Sequence, residues 1–181
     1  MSQRDLILKY SKKWSSLGIE TFSIRVEAEH ASKKLFRGMI KITDEIIKSP
    51  DLLPNDFNFL GILIKNSGIF CLDIEWINGS VDKFYSLLDE RGIDPDSLLI
   101  ENSMNKGLHL YFRTEGLTIK NEHFKELNGI HFDVLSSFRA FTSPSIFNGK
   151  QYEWIGNNFD LITDIDKIPA LPESLADFID I

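Results

Sequence analysis

Cysteine is almost absent from this chain, because its 181 residues include only Cys71. A single thiol excludes an internal disulfide and any zinc site built from several cysteines. The chain also lacks an apolar run long enough to span a bilayer and a signal-peptide pattern at its first residues. We therefore expect a cytoplasmic protein that uses neither a membrane nor zinc, with Cys71 as a small core residue.

Sequence motifs of several common enzyme classes are also missing. There is no Gly-x-x-x-x-Gly-Lys-Ser/Thr loop, so the sequence predicts neither ATPase nor helicase activity. No hydrolase triad is recognisable, and no internal repeat, low-complexity tract or clear linker divides the chain. Because 43% hydrophobic and 12% aromatic residues are globular values, we expect a single domain over residues 1–181.

The chain has fewer basic than acidic residues, 20 Lys or Arg against 27 Asp or Glu, and the basic residues are concentrated near its start. The net charge of −7 argues mildly against a protein that coats DNA regardless of sequence. Residues 1–50 contain ten Lys or Arg and six Asp or Glu, whereas residues 151–181 contain one and seven. Four early cations form a basic cluster: Lys33, Lys34, Arg37 and Lys41. An acidic total stays compatible with a nucleotide or DNA site wherever the local charge is positive.

Helix and strand patterns are intermixed along the chain, which predicts a mixed α/β fold. Apolar periodicity and capping residues predict helices at 4–17, 43–48 and 81–91, and a last helix from Pro172. Runs of apolar residues predict strands at 21–26, 60–64, 69–76, 98–102, 108–113, 130–135 and 139–142. Ser80 is the expected N-cap of the third helix, and residues 65–68 are expected to close a β-hairpin. The stretch 28–56 is otherwise too polar to assign.

The most informative residues are Asp73 and Glu75, two carboxylates in the otherwise apolar segment 68–76. Successive strand side chains point to opposite faces, so both carboxylates project from one face, about 7 Å apart. Two anions side by side at low dielectric repel each other unless a cation neutralises them. A hard divalent ion such as Mg²⁺ or Mn²⁺ meets this requirement. The same spacing also occurs on strands whose polar face is simply solvated, so both interpretations stay open.

A second polar strand face follows Gly107. Alternation leaves His109, Tyr111 and Arg113 together on the face opposite the core. Histidine and arginine on one face can both donate charge-assisted hydrogen bonds to phosphate oxygens. Lys106 adds positive charge just before the strand, and Gly107 lets another backbone approach closely. A partly exposed histidine with unrelated neighbours is the alternative interpretation of His109.

A third acid, Asp133, lies in the segment 129–134. There the apolar residues alternate with His131 and Asp133, which share the other face of the strand. Asp133 is therefore a candidate third carboxylate for the metal site of Asp73 and Glu75. His131 has two possible interpretations, a metal ligand or a histidine in a supporting or surface position.

In this order, the three segments resemble the bifunctional DNA primase/polymerase (prim-pol) domain of the archaeo-eukaryotic primase superfamily. The likeness covers about residues 61–154. Residues 61–75 resemble the first motif of that family, a strand that ends in an acid-x-acid pair. Residues 107–112 resemble the second motif, whose histidine contacts the phosphates of the incoming nucleotide. Residues 129–134, with 143–145 and 149–154, resemble the third motif, which supplies the last metal-binding acid.

The resemblance implies a prim-pol-like fold, in which an N-terminal α/β portion and an RNA-recognition-type sheet enclose the active site between them. It implies that Asp73, Glu75 and Asp133 bind two Mg²⁺ or Mn²⁺ ions, and that the catalytic His109 contacts the nucleotide. Further nucleotide-binding residues are expected near these motifs: Lys106, Arg113, Arg139 and Ser145. Arg139 is expected to supply the positive charge that family members commonly place soon after the third acid.

The implied function is that of a DNA primase/polymerase, which joins NTP or dNTP to a nucleic-acid 3′-hydroxyl on a template during replication. Expected partners are a DNA template and primer, and a helicase or helical accessory domain of the kind joined to such domains in plasmid, phage or viral replication proteins. The chain would then be the N-terminal part of a larger protein or a small stand-alone enzyme. Two alternatives stay open, a metal-dependent nuclease and a non-catalytic nucleic-acid-binding module.

Overall fold

The computed structural model describes residues 1–30 and 33–180, except for the side chains of residues 28–30 and 33–35. The helices are α1 (Gln3–Ser16), α2 (Asp44–Lys48) and α3 (Ser80–Glu90). The strands are β1 (Thr21–His30), β2 (Lys33–Ile42), β3 (Phe59–Leu63), β4 (Ile69–Ile74), β5 (Leu99–Asn102), β6 (Leu108–Arg113), β7 (Glu122–Leu127), β8 (Ile130–Leu135), β9 (Arg139–Thr142), β10 (Ile146–Phe147), β11 (Lys150–Gln151) and β12 (Glu153–Trp154). Short 3₁₀ helices lie at Pro50–Leu52, Ile77–Gly79, Pro95–Ser97, Phe159–Leu161, Ile165–Lys167 and Glu173–Phe178.

Most of these strands form two antiparallel sheets. The smaller sheet has the strand order β2-β1-β3-β9, and the larger has the order β12-β5-β6-β4-β8-β7. Strands β10 and β11 pair with each other separately. The mixed α/β fold class predicted from the sequence is confirmed.

Helix α1 connects the two sheets at one end. It begins at a capping box, in which the Ser2 hydroxyl accepts from the Asp5 amide and the Asp5 carboxylate accepts from the Ser2 amide, both at 3.1 Å. Its buried face includes Trp14, which belongs to the same apolar cluster as Leu60 of β3. Trp14 also packs on Tyr111 of the larger sheet, with 5.5 Å between ring centroids. The helix thus fixes the two sheets against each other.

Both faces of the larger sheet are covered, which explains the nearly continuous apolar runs of its central strands. One face packs against α3 and the helix Glu173–Phe178, through residues that include Leu72 and Phe84. The opposite face packs against α1 at the end of the sheet that carries Cys71. The Cys71 side chain is fully buried, so its prediction as a core residue is confirmed.

The predicted hairpin between residues 60–64 and 69–76 is wrong. Strand β3 pairs with β1 and β9 in the smaller sheet, whereas β4 pairs with β6 and β8 in the larger sheet. The chain crosses between the sheets after β3, and the segment between β8 and β9 crosses beside it, where the Ile64 amide donates to the Phe138 carbonyl at 2.9 Å. Turn residues between two apolar runs cannot show whether the runs pair with each other or with distant strands.

Strands β2 and β7 were not predicted from the sequence. Both lie at the edge of a sheet, where a strand is paired on one side only and its polar pattern resembles that of a loop. The last helix is the 3₁₀ helix Glu173–Phe178, directly after Pro172. Ser80 is the first residue of α3 rather than its N-cap, because the left-handed Gly79 occupies the cap. The Ser80 hydroxyl instead accepts from the His131 amide at 2.9 Å.

The predicted basic cluster is described only in part, since the side chains of Lys33 and Lys34 lie outside the described residues. Arg37 and Lys41 lie on β2, where each pairs with a glutamate, at 2.5 and 2.9 Å. Their charges are therefore partly neutralised at the edge of the smaller sheet. In the described part of the chain, no helix combines the length and the apolarity needed to cross a membrane.

Gly61 on β3 is a position where the fold requires a glycine. A Cβ atom there would overlap the ring of Phe22, which is itself buried on β1. We expect Gly61→Ala to lower the free energy of unfolding by about 1–3 kcal/mol, the usual cost of overpacking a core. Urea unfolding of both proteins measures this difference. The same change should cost less in a Phe22→Leu background, and an equal cost in both backgrounds would contradict the clash.

Candidate active site

Four ionisable residues form a row across the larger sheet. In the strand register, Glu101 of β5 lies opposite His109 of β6, His109 lies opposite Asp73 of β4, and Asp73 lies opposite Asp133 of β8. Directly opposed residues of neighbouring antiparallel strands project from the same face, with their Cβ atoms about 5 Å apart. Four strands, spread over residues 69–135, therefore place one ionisable residue each along one line.

Glu75 extends this group of acids beyond the end of β4. Its backbone amide donates to the His131 carbonyl at 3.0 Å, which keeps the chain in register with β8. The pKa of the Glu75 carboxyl is raised by burial and then by the negative charges of Asp133 and Asp73, against a smaller opposing effect of His131. The three carboxylates thus act electrostatically on one another.

His109 is a buried cation within this row. It is 3% exposed, with Nε2 3.5 Å from Asp73 Oδ2 and Nδ1 3.4 Å from Glu101 Oε1. Burial alone would lower its pKa, but the charges and hydrogen bonds of Asp73 and Glu101 outweigh that effect and raise the pKa of His109 to about 10. The imidazole is therefore protonated at neutral pH and lies between two anions.

Glu101 is a site residue that the sequence analysis missed. It is fully buried, and it accepts hydrogen bonds from the Tyr111 hydroxyl at 2.6 Å, the Thr142 hydroxyl at 3.1 Å and the Ser143 amide at 2.8 Å. These bonds join the larger sheet to the end of β9 and hold the carboxylate beside His109. A carboxylate inside a short apolar strand was the signal that could have identified it.

Replacing Glu101 with glutamine is expected to lower the pKa of His109 in the metal-free protein, because one of two stabilising anions is removed. A folded-state pKa raised from 6.5 to about 10 stabilises the fold fully below the lower value, and this contribution disappears as the pH rises through the higher one. The variant should therefore lose more unfolding free energy near pH 6 than near pH 10, as measured by urea unfolding. Tyr111→Phe keeps the charge and serves as the control, and an equal loss at both pH values would contradict the expectation.

Both oxygens of Asp133 are held by the edge strand β7. Oδ2 accepts from His123 Nδ1 at 2.9 Å, and Oδ1 accepts from the Phe124 amide at 2.8 Å. A register shift between Glu122 and Lys125 turns this part of β7 toward the acid. His123 attracted no interpretation from the sequence, where it stands in a polar segment without an apolar pattern.

A second hydrogen bond fixes the tautomer of His123. The Asn121 Oδ1 atom accepts from the Ser136 amide at 2.9 Å, so its Nδ2 atom faces His123 Nε2 at 3.0 Å as a donor. His123 Nε2 is then the acceptor, and Nδ1 carries the proton that is donated to Asp133. Asn121, His123 and Asp133 form one continuous hydrogen-bonded chain.

The donor set fits divalent ions such as Mg²⁺ and Mn²⁺, which prefer carboxylate oxygens. Among the side chains that the structure describes, no three metal-ligating groups are already close enough together to hold an ion, and both Asp133 oxygens face β7. A carboxylate has about four lone-pair positions, so Asp133 can keep its two hydrogen bonds and still bind an ion. Asp73, Glu75 and Asp133 are the residues that could do so.

A cavity of about 200 Å³ opens from this row. Asp73, Glu75 and His109 line it together with Trp76 and Tyr152. The Tyr152 ring lies 5.5 Å from the His109 ring between centroids, and the pKa of its hydroxyl is raised, chiefly by burial. Asp73, Glu75 and the buried cation His109 thus face one shared space.

The predicted nucleotide-binding cations are distributed unequally. Lys106 is exposed on the loop before β6, beside the cavity. Arg113 lies opposite Ile69 at the far end of β6 and pairs with Glu115 at 3.0 Å. The structure therefore brings Lys106 near the row and does not bring Arg113 there.

Arg139 and Ser145 are also outside the row. The Arg139 guanidinium lies over three aromatic rings on and next to the smaller sheet, those of Phe22, Phe138 and Phe141. Ser145 is fully buried, and its hydroxyl donates to the Thr142 carbonyl at 2.7 Å and accepts from the Leu60 amide at 2.9 Å. Its hydrogen bonds join β3 to the segment after β9, which leaves no exposed group for a ligand.

The family model for the bifunctional DNA primase/polymerase N-terminal domain (Prim-Pol) matches residues 33–174, or 142 of the 181 residues. The chain belongs to this family. The resemblance inferred from the three motifs is thereby confirmed, and family membership indicates nucleotidyltransferase activity of the primase/polymerase type. The matched range contains all four residues of the row across the larger sheet, as well as Glu75 and His123. No curated protein matches the chain.

Proposed function

We propose that this chain extends a nucleic-acid primer on a DNA template by joining NTP or dNTP to its 3′-hydroxyl. The observation that carries this proposal is the register that aligns Asp73, Asp133 and the buried cation His109 on one face of the sheet. Phosphoryl transfer is catalysed largely by metal ions, which acids hold, and by cations that stabilise charge on the phosphates. This row provides both, and Glu75 adds a third carboxylate at its open end.

Asp73, Glu75 and Asp133 would hold two divalent ions. Bound there, such ions lower the pKa of an attacking hydroxyl and stabilise negative charge on the transferred phosphate. The raised pKa of Glu75, caused by burial and by the two neighbouring acids, supports this assignment because a bound cation relieves that repulsion. The carboxylates also fix where the 3′-hydroxyl and the triphosphate come together.

His109 would neutralise charge on the phosphates of the incoming nucleotide. Its burial in a site of low dielectric strengthens each hydrogen bond that it donates. Glu101 positions the ring through Nδ1, which leaves Nε2 on the side of Asp73 and the cavity. Lys106 lies at the edge of the same space and is suited to the outer phosphates.

A primer-extension assay tests the proposal. A labelled primer on a DNA template should lengthen stepwise with Mg²⁺ or Mn²⁺, only with the complementary nucleotide, and not after chelation. No extension with either ion and either nucleotide class, by a folded protein, would contradict the proposal. Shortening of the DNA with Mn²⁺ and no nucleotide would instead favour a nuclease. A helicase partner and a plasmid or phage context stay predictions.

A further inference from the structure

Trp76 is an exposed aromatic residue directly beside the acids. It follows Glu75 and exposes 60% of its surface, whereas Trp14 is fully buried. Trp154 is stacked on Phe159 with ring centroids 4.2 Å apart. Trp76 therefore differs from both other tryptophans, and the hydrophobic core does not account for its position.

A groove lies beside Trp76, and none of the acids lines it. It encloses about 280 Å³, and we call it the Trp76 groove. Its lining residues are Trp76, Met104, Asn105, Lys106 and Lys150. The first three of these also line the cavity of Asp73 and His109, so the two spaces adjoin.

Part of the groove wall is a hydrogen-bonded loop, residues 103–107. The Ser103 amide donates to the Gly107 carbonyl and the Lys106 amide donates to the Ser103 carbonyl, both at 2.9 Å. Because Gly107 has no side chain, the loop can lie close to the end of β4. A Cβ atom at this position would be only 2.6 Å from the Ile74 carbonyl oxygen. Met104 is 6% exposed and packs in the apolar cluster beside the smaller sheet. The groove is therefore formed before any ligand arrives.

The chemistry of the groove selects a flat, anionic ligand. The indole of Trp76 offers apolar contact surface, and the largely buried Met104 completes the apolar part of the lining. Lys106 and Lys150 are exposed, and neither forms an ion pair with any residue of the described chain. A nucleotide matches this combination, because its base stacks on an aromatic ring and its phosphates attract cations.

We infer that Trp76 stacks on the base of the incoming nucleotide while the triphosphate extends toward His109 and the acids. This inference rests on the proposed function and adds the residue that holds the base. Stacking on indole tolerates every base, because each base has a π-face, and selection among bases is then left to pairing with the template. The adjoining cavities place base and phosphates in contiguous spaces.

Equilibrium binding without primer tests this inference separately from catalysis. Isothermal titration with Mn²⁺ would compare a dNTP with inorganic tripolyphosphate, which has the charge but no base. Trp76→Ala should weaken dNTP binding about 5- to 150-fold, the range expected for one base-aromatic stack. Trp76→Phe should keep most of the affinity. Tripolyphosphate should bind wild type and both variants alike, and Leu117→Ala, an exposed residue just beyond the far end of β6, should change nothing.

Each other result overturns the inference. Equal dNTP affinity of wild type and Trp76→Ala would show that the base does not stack on Trp76, and it would not contradict the proposed function. An equal loss for dNTP and tripolyphosphate would show a structural effect of Trp76. Weaker binding of single-stranded DNA, with dNTP unaffected, would place a template or primer strand in the groove instead. No binding of dNTP or tripolyphosphate by wild type would overturn this inference and the proposed function together.

Discussion

Replacing Asp73 with asparagine is expected to reduce primer extension about a thousandfold or more. Asp73 lies between the buried cation His109 and the third acid Asp133 in the strand register, so it contributes to both halves of the site. Asparagine keeps the shape of the side chain but removes the charge that a divalent ion requires. Charge stabilisation by bound metal is worth several kcal/mol, and each 1.36 kcal/mol changes a rate tenfold. Single-nucleotide extension at equal protein concentration measures the loss.

The Asp73→Asn protein should remain folded, which separates chemistry from stability. The Asp73 side chain is 30% exposed, and the ion pair with His109 is long, at 3.5 Å. Near-ultraviolet circular dichroism and the melting temperature test the fold. Asp82→Asn, which removes an exposed carboxylate from α3, is the matched control and should extend primers normally. Wild-type rates in Asp73→Asn would exclude the proposed metal site, and Glu75→Gln provides the same test if the first variant unfolds.

The strands that carry the row could be predicted because each has a strict pattern. β6 and β8 begin and end at the residues predicted, because polar and apolar residues alternate along 108–113 and along 130–134, with Leu135 as the one departure at the end of β8. This pattern also indicated which side chains share a face. It could not show that Asp73 lies opposite Asp133, because pairing between strands depends on tertiary contacts.

Glu101 and His123 were not predicted as site residues. They lie outside the three sequence motifs and contact His109 and Asp133, respectively. Glu101 acts through its place opposite His109, and that place follows only from the pairing of β5 with β6. His123 lies on an edge strand with a register shift, where no alternation marks either face. In both cases the signal is a contact between strands rather than a local pattern.

Two of the predicted nucleotide-binding cations were assigned to the site because of their positions in the sequence, and the structure places them elsewhere. Arg139 follows Asp133 closely in the sequence, yet the chain crosses to the smaller sheet between them, and its guanidinium packs on aromatic rings there. Arg113 shares a strand face with His109, but four residues of extended chain separate them by about 13 Å. Proximity in sequence therefore predicts a shared site only where both residues lie at the same end of the same sheet.

Replacing His123 with alanine is expected to weaken Mn²⁺ binding about 10- to 100-fold, the usual effect of removing a residue that orients a metal ligand. His123 Nδ1 donates to Asp133 at 2.9 Å, and Asn121 fixes the proton on that nitrogen. Without this bond, the Asp133 carboxylate keeps only the Phe124 amide as a partner in the described structure. Electron paramagnetic resonance of free Mn²⁺ measures the affinity without any catalytic step.

The variant His123→Asn distinguishes two roles of His123, the hydrogen bond that orients Asp133 and the packing of the side chain. The asparagine amide nitrogen stands close to the position of Nδ1 and can donate the same hydrogen bond, so His123→Asn should retain most of the Mn²⁺ affinity that His123→Ala loses. Glu126→Gln changes an exposed residue of the same edge strand and should bind Mn²⁺ like wild type. Equal losses in the alanine and asparagine variants would mean that the donated proton is not what matters. Wild-type affinity in His123→Ala would mean that Asp133 reaches the metal without help from β7, and that its contacts there belong only to the fold.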